Sequence, residues 1–151
     1  MNNKNVRERL IKLYGNECFI EKLHLRKDIK PRKYKSKGQM KRMKQLTYHH
    51  ILERRKGGKA TVENGALLSA ENHIWFHRQN KVQQGYMNAI FQEYKKQSDE
   101  LKVVFVDDLE LPYSIKAMEF KVSERKKEKY ERAKKKQEDK KLIEDYMEEE
   151  R

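Results

Sequence analysis

Apolar residues recur at helical spacing near the start of the chain. Val6, Leu10 and Tyr14 fall on one face of a helix, and Gly15 follows them as a helix C-cap would. This pattern predicts a short amphipathic helix over residues 5–14.

Two short apolar fragments, residues 18–20 and 23–25, come next, and both are compatible with a strand or a hairpin. Residues 26–45 have no sustained apolar period and contain Pro31 and Gly38. This second stretch is therefore predicted to be a loop or an extended arm.

Residues 46–52, with the sequence LTYHHIL, are β-prone and run into a charged turn that contains two glycines. Residues 66–69 can pair with them as a second strand. Ser69 can then act as the N-cap of a helix over residues 70–81. The pattern predicts a strand, a loop, a second strand and a helix in succession.

Helical spacing returns beyond this unit, where Tyr86, Ile90 and Tyr94 mark another amphipathic helix. A short apolar run follows at residues 103–106. From Ser114 onward, opposite charges at positions i and i+4 favour a long exposed helix, although apolar residues are too sparse for a coiled-coil seam.

The predicted fold class is α+β, divided into four segments. Residues 1–45 form an N-terminal helix and basic arm, and residues 46–81 form a small core of two strands and a helix. Residues 82–113 form a supporting region of helix and strand. Residues 114–151 form a charged C-terminal helix.

The charge of the chain is unevenly distributed. Its 151 residues include 37 Lys or Arg and 24 Asp or Glu, which gives a net charge of +13. Residues 30–59 hold twelve of the basic groups and one acid, Glu53. Such a segment releases counterions when it meets a polyanion, which favours binding to nucleic acid. Residues 119–151 are nearly neutral and fit either protein docking or an inert solvated helix.

Composition also excludes several classes of protein. No apolar run reaches the roughly 18 residues of a membrane span, and the first residues lack the pattern of a signal peptide. We therefore expect a cytoplasmic protein without membrane contact. The single cysteine, Cys18, excludes an internal disulfide and a paired-thiolate zinc site, so metal chemistry must use other side chains.

Four of the five histidines lie within 29 residues of one another: His49, His50, His73 and His77. His73 and His77 share one face of the predicted helix, a spacing that suits two imidazoles on one metal. His49 and His50 point to opposite faces of a strand, so one can be a third ligand while the other stays free. Metal-dependent phosphodiester hydrolysis requires these two roles, a metal site and a neutral imidazole that accepts a proton from water.

The order and spacing of these residues resemble the HNH endonuclease motif, the strand–loop–strand–helix unit called the ββα-metal fold. Asn64 stands 14 residues after His50, and His73 stands 9 residues after Asn64, as in that motif. The additional His77 is similar to the three-histidine metal site of colicin-type DNases. The likeness covers residues 46–81.

The resemblance implies a role for each matching residue. His49, His73 and His77 would be metal ligands, His50 the general base, and Asn64 the side chain that braces the loop and orients His50. The candidate nucleic-acid contacts, which lie in the basic arm, the loop and the helix, are Lys41, Arg42, Lys44, Arg54, Arg55, Lys56, Gly57, Gly58 and Arg78.

The function expected from the resemblance is a metal-dependent endonuclease that acts on double-stranded DNA and nicks one strand per active site. One divalent ion per site is expected, with Mg²⁺ or Mn²⁺ in turnover, while Zn²⁺ or Ni²⁺ could also bind. HNH proteins of this size resemble those of phages and other mobile elements, which would place the protein in the host cytoplasm.

Two alternatives stay open on the sequence. The unit could be a non-catalytic nucleic-acid-binding module with a structural metal. It could also belong to a phage assembly factor whose C-terminal helix docks onto a protein partner or a second copy. RNA as the substrate also stays open.

Overall fold

The computed structural model describes residues 3–27, 33–101 and 111–150. The chain divides into two compact units, and the boundary along the sequence lies between Leu111 and Pro112. The first unit mixes helices with a small sheet, consistent with the predicted α+β class. Within the described ranges, no helix is long and apolar enough to cross a membrane.

The described elements follow one another closely along the chain. They are the helices α1 (Asn3–Tyr14), α2 (Phe19–Lys22) and α3 (Lys37–Lys44), the strands β1 (Leu46–His50) and β2 (Gly65–Ser69), and the helices α4 (Ala70–Arg78), α5 (Lys81–Leu101) and α6 (Tyr113–Glu149). A single 3₁₀ turn, Arg54–Lys56, lies in the loop between the strands.

The two strands form an antiparallel hairpin, in which Tyr48 pairs with Leu67 and His49 with Ala66. All five residues of β2 are buried, so this strand lies at the centre of the first unit. The hairpin is the framework that carries the first two histidines of the predicted site.

Aromatic rings from three helices form the core beside the hairpin. The ring of Phe19 in α2 contacts Tyr14 of α1 and both Phe91 and Tyr94 of α5, with centroids 5.3 to 5.9 Å apart. Edge-to-face pairs at these distances are favourable beyond the area they bury. The N-terminal helix and α5 are therefore part of one core.

Lys95 of α5 extends from this core to the end of the loop between the strands. Its buried ammonium donates hydrogen bonds to the carbonyl oxygens of Val62, Glu63 (3.0 Å) and Gly65 (2.8 Å). Burial lowers the pKa of Lys95 to about 8, although the charges of Asp99 and Glu63 oppose this change. Lys95 thus attaches the start of β2 to α5.

Two of the sequence predictions before the hairpin are wrong. The stretch around residues 18–20 forms the helical turn α2 instead of a strand, because one turn buries Phe19 and Ile20 together in the core. The predicted loop at residues 26–45 contains α3, whose N-cap Ser36 accepts a hydrogen bond from the Gln39 amide. None of the residues of α3 is buried, so the helix has no apolar period to detect.

The predicted helix over residues 70–81 is also corrected. It ends at Arg78, Gln79 is extended, and α5 begins at Lys81. Asn80 starts the new helix, because its side-chain oxygen accepts a hydrogen bond from the Gln83 amide (2.9 Å). The apolar run at residues 103–106 lies outside the described residues.

The second unit consists of the long helix α6, which begins directly after Pro112. Most of its residues are exposed, which confirms the long exposed helix predicted from Ser114 onward. Its exposed apolar residues near the C-terminal end are Leu142, Ile143, Tyr146 and Met147.

Candidate metal centre

The alternation of β1 separates its two adjacent histidines. His49 is 3% exposed and faces α4 and α5, with its ring 4.4 Å from the ring of Phe76. His50 is half-buried, and its ring lies edge-on to Tyr48, two residues earlier on the same face of the strand, at 4.8 Å. The strand therefore directs the two imidazoles differently, as the sequence predicted.

The other two histidines are positioned by the sharp transition from β2 to α4. Ser69 ends the strand and caps the helix, because its hydroxyl accepts a hydrogen bond from the Asn72 amide (3.3 Å). His73 and His77 follow one turn apart, and their rings stack with centroids 5.0 Å apart. The predicted N-cap and the predicted shared helix face are both confirmed.

His49, His73 and His77 come together at one point. Each offers a ring nitrogen, and the three nitrogens lie within 4.8 Å of one another, close enough to hold a metal ion. The closest approach joins Nδ1 of His49 and Nε2 of His73, at 3.4 Å. The cluster changes from buried at His49 to exposed at His77, so it is open to solvent on one side.

The surroundings of the cluster keep the imidazoles of His49 and His73 neutral at pH 7. Burial lowers the pKa of His49 to about 4, although its hydrogen bond to Oδ1 of Asn88 opposes the change, and the charges of the other histidines add to the lowering. Burial also lowers the pKa of His73 to about 4, and the neighbouring His77 adds to this effect. A neutral imidazole keeps the lone pair that a metal needs.

Two residues outside the predicted set contact the cluster. Nε2 of His49 lies 2.8 Å from Oδ1 of Asn88 in α5, and Nδ1 of His73 lies 2.8 Å from the hydroxyl of Thr47 in β1. The alternation of β1 could have indicated Thr47, since it shares a strand face with His49. The only sequence signal for Asn88 is that a polar residue stands among the apolar residues on one face of α5.

A cleft of about 440 Å³ opens over the cluster and is also lined by His50. Burial lowers the pKa of His50 below its usual value, and the positive charge of Arg54 adds to this effect. Within the described ranges, no hydrogen-bond partner holds the His50 imidazole. His50 is thus neutral at pH 7 and faces the same space as the metal ligands without belonging to their group.

The lip of the cleft is charged. Arg54 and Arg55 line it on the side of the loop, and Lys81 lines it at the start of α5. The carboxylate of Glu53 forms ion pairs with Nε of Arg55 (2.6 Å) and Nζ of Lys81 (3.3 Å). Cationic groups therefore surround the opening, and one acid partly neutralises them.

Asn64 fastens the loop between the strands. Its Oδ1 accepts a hydrogen bond from the Leu52 amide (2.7 Å), and its Nδ2 donates to the carbonyls of Leu52 (3.1 Å) and Lys59 (3.0 Å). Its carbonyl also accepts from the Ile51 amide (2.9 Å). Asn64 thus fixes the backbone directly after His50 and makes no hydrogen bond to the imidazole itself.

The backbone of the loop requires glycine at both Gly57 and Gly58. Gly57 ends the 3₁₀ turn with φ +91°, a conformation that L side chains rarely adopt. At Gly58 a Cβ atom would lie 1.8 Å from the carbonyl oxygen of Leu52. The close approach that requires Gly58 is therefore within the loop itself.

The remaining candidate residues are spread over three places. Lys41, Arg42 and Lys44 are exposed on α3, which packs against α4, and do not line the cleft. Lys56 is exposed in the 3₁₀ turn, and Arg78 is exposed at the end of α4. Among the candidate basic residues, all of which lie in the described ranges, Arg54 and Arg55 alone line the cleft.

The two aromatic residues of α4 differ in their burial. Phe76 is buried in the core, whereas Trp75 is half-buried, with the guanidinium of Arg26 5.3 Å from its ring. Leu52 is 48% exposed because it lies in the loop beyond the end of β1.

Comparisons with protein-family models, with curated proteins and with solved structures find no match to this chain. The function is therefore argued from the geometry of the site.

Proposed function

We propose that this protein is a metal-dependent endonuclease of the HNH type, which hydrolyses phosphodiester bonds of double-stranded DNA and nicks one strand per active site. One observation carries the proposal. A three-histidine cluster and a separate neutral histidine, His50, face one cleft whose lip is cationic. A structural metal site has no use for the fourth imidazole, whereas hydrolysis requires it.

The donor set fits a divalent transition metal. Two ligand nitrogens on a tetrahedral ion, each bonded at 2.0 to 2.1 Å, are separated by about 3.3 to 3.4 Å. The distance between Nδ1 of His49 and Nε2 of His73 is 3.4 Å, which matches this separation. Three imidazole ligands favour Zn²⁺ or Ni²⁺ in affinity, and Mg²⁺ or Mn²⁺ are proposed for turnover. When bound, the ion supplies Lewis acidity and positive charge at the scissile phosphate.

The proton of the attacking water is assigned to His50. Its pKa lies below its usual value, so the imidazole is neutral at pH 7 and can accept that proton. It is also free of the cluster, which leaves its lone pair available. Asn64 supports this role through the backbone, because it fixes the segment that follows His50.

The cationic lip is assigned to the phosphates of the substrate. Arg54 and Arg55 line the cleft beside His50, and an arginine can pair with a phosphate in a bidentate manner. The exposed basic residues of α3, Lys41, Arg42 and Lys44, add phosphate contacts beyond the cleft. Such contacts give affinity without sequence preference.

The test is incubation of supercoiled plasmid with the protein and a series of divalent ions. Relaxed circles should appear, and a chelator should prevent them. His50→Ala should abolish nicking and keep plasmid binding and metal binding, whereas the control His24→Asn replaces an exposed histidine outside the cleft and should nick normally.

Two outcomes would contradict the proposal in different ways. Continued nicking by His50→Ala would refute His50 as the general base. Plasmid binding without nicking, across Mg²⁺, Mn²⁺, Ni²⁺ and Zn²⁺, would instead support the non-catalytic binding module with a structural metal.

A further inference from the structure

Two polar side chains each contact one ring nitrogen of His49 or His73. They are Thr47, two residues before His49 on β1, and Asn88, on α5. Each lies 2.8 Å from one histidine of the cluster. Neither belongs to the ligands, the base or the brace assigned above.

The hydroxyl of Thr47 has one hydrogen, and the fold commits it elsewhere. Thr47 Oγ1 donates to the carbonyl of Leu68, its partner in the hairpin, at 2.8 Å. The same oxygen can therefore only accept from Nδ1 of His73. In this arrangement His73 carries its hydrogen on Nδ1, which leaves the lone pair on Nε2.

Asn88 acts on His49 in the opposite sense. Its Oδ1 is an amide oxygen, which only accepts hydrogen bonds, so Nε2 of His49 must donate to it. The lone pair of His49 is then on Nδ1. Because His49 is 3% exposed, water cannot easily replace Asn88 as the acceptor.

These two tautomers leave two lone pairs opposed to each other. Nδ1 of His49 and Nε2 of His73 are 3.4 Å apart, and each is the ring nitrogen without hydrogen. Two such atoms repel at this distance because neither can donate to the other. A cation between them turns the repulsion into coordination.

We propose that Thr47 and Asn88 are positioning residues that fix opposite tautomers of His73 and His49, so that the protein presents a preformed cation site with one Nδ1 and one Nε2 ligand. The inference rests on the metal site of the proposed function and does not depend on nuclease activity. It assigns one side chain on β1 and one on α5 to the preorganisation of that site.

The first experiment reads the tautomers directly in the full chain. The protein is labelled with ¹⁵N, stripped of metal with a chelator, and studied by long-range ¹H–¹⁵N NMR of the imidazoles. We expect hydrogen on Nε2 of His49 and on Nδ1 of His73. The reverse tautomer at either residue would overturn the proposal, whatever the variants do.

The second experiment measures Co²⁺ affinity, using the absorption of the bound ion. Thr47→Val and Asn88→Leu keep the approximate shape of the side chain and remove the hydrogen-bonding atom, and each should bind Co²⁺ about 10- to 100-fold more weakly. Thr47→Ser and Asn88→Asp restore an acceptor and should bind within a few-fold of the wild type. Gln92→Leu, at an exposed position of α5, is the matched control and should bind normally.

The outcomes separate this proposal from the proposed nuclease. Unchanged Co²⁺ affinity in folded Thr47→Val and Asn88→Leu would overturn the positioning role. Expected tautomers and affinities with no plasmid nicking would support the positioning role and contradict the nuclease. If Asn88→Leu does not fold, the wild-type tautomers and the Thr47 pair decide the question.

Discussion

Asn64 and Leu52 are joined by two hydrogen bonds that run in opposite directions. The Leu52 amide donates to Oδ1 of Asn64 at 2.7 Å, and Nδ2 of Asn64 donates to the Leu52 carbonyl at 3.1 Å. One side chain thus satisfies both backbone groups of a residue in an irregular loop. Since Leu52 follows His50 by two residues, this pairing fixes the direction in which β1 ends.

Asn64→Ala should therefore lower stability and nicking together. Removal of three side-chain hydrogen bonds should reduce the free energy of unfolding by about 1 to 3 kcal/mol, measured in urea. Nicking should fall because His50 loses its support, while Co²⁺ affinity should hold because Asn64 makes no hydrogen bond to any of the three ligands. Asn16→Ala, in an exposed loop, is the control, and full nicking by a folded Asn64→Ala would contradict the bracing role.

His77→Ala should separate metal binding from folding. His77 is the exposed member of the cluster, so its removal should change the free energy of unfolding of metal-free protein by less than about 0.5 kcal/mol. Co²⁺ affinity should nevertheless fall at least tenfold, because one of three ligands is lost. Normal Co²⁺ affinity in this variant would exclude His77 as a ligand.

The stability of the metal-free protein should fall as the pH decreases from 6.5 towards 4. In the folded state the pKa values of His49 and His73 are about 4, whereas both take up protons near pH 6.5 once unfolded. The unfolded state therefore binds more protons in this window, and acid favours it. The loss should be on the order of 3 kcal/mol for His49 and smaller for the more exposed His73.

Urea unfolding at several pH values, in the presence of a chelator, measures this dependence. The informative window is pH 6.5 to 5, above the range in which most carboxylates titrate. His49→Gln should flatten the dependence. A wild-type free energy of unfolding that stays constant across the window would contradict the buried neutral histidines.

Lys95→Met should destabilise the first unit much more than the same substitution at the neighbouring Lys96. The substitution keeps much of the volume and leaves three carbonyl oxygens without their donor, so we expect a loss of about 2 to 4 kcal/mol in urea unfolding. The neighbouring Lys96 is exposed, and Lys96→Met should change stability by less than about 0.5 kcal/mol. Equal effects of the two substitutions would contradict the attachment of the loop by Lys95.

Neutralising the basic residues of α3 should change the salt dependence of DNA binding. Binding affinity falls as salt rises, and each phosphate contact contributes about 0.9 to the magnitude of the slope of log affinity against log salt. Replacement of Lys41, Arg42 and Lys44 by Gln should therefore reduce that magnitude by about 2 to 3. The control replaces the three lysines at 134–136 in the nearly neutral helix α6, which should leave the slope unchanged. An unchanged slope in the α3 variant would remove this helix from the nucleic-acid surface.

The cluster could be predicted from the sequence because its geometry is local. Two histidines four residues apart on a helix and two adjacent on a strand follow fixed periods of 3.6 and 2 residues. The cap at Ser69, which sets where that helix begins, is also a local signal. Only the meeting of strand and helix required tertiary structure.

The residues that the sequence did not indicate depend on contacts between distant segments. Asn88 reaches His49 across 39 positions, and Lys95 reaches Gly65 across 30, so no spacing rule connects them. The sequence pattern does not predict the helix α3, for a different reason. None of its residues is buried, so no apolar stripe marks it, although Ser36 caps its first turn.

Asn88 and Lys95 are seven residues apart on α5, so they project from the same side of one helix. One contacts a histidine of β1, and the other holds the backbone that leads into β2. A fragment cut at residue 81 would keep every histidine of the cluster and lose both supports. Anyone who transplants this motif into another scaffold should therefore carry α5 with it.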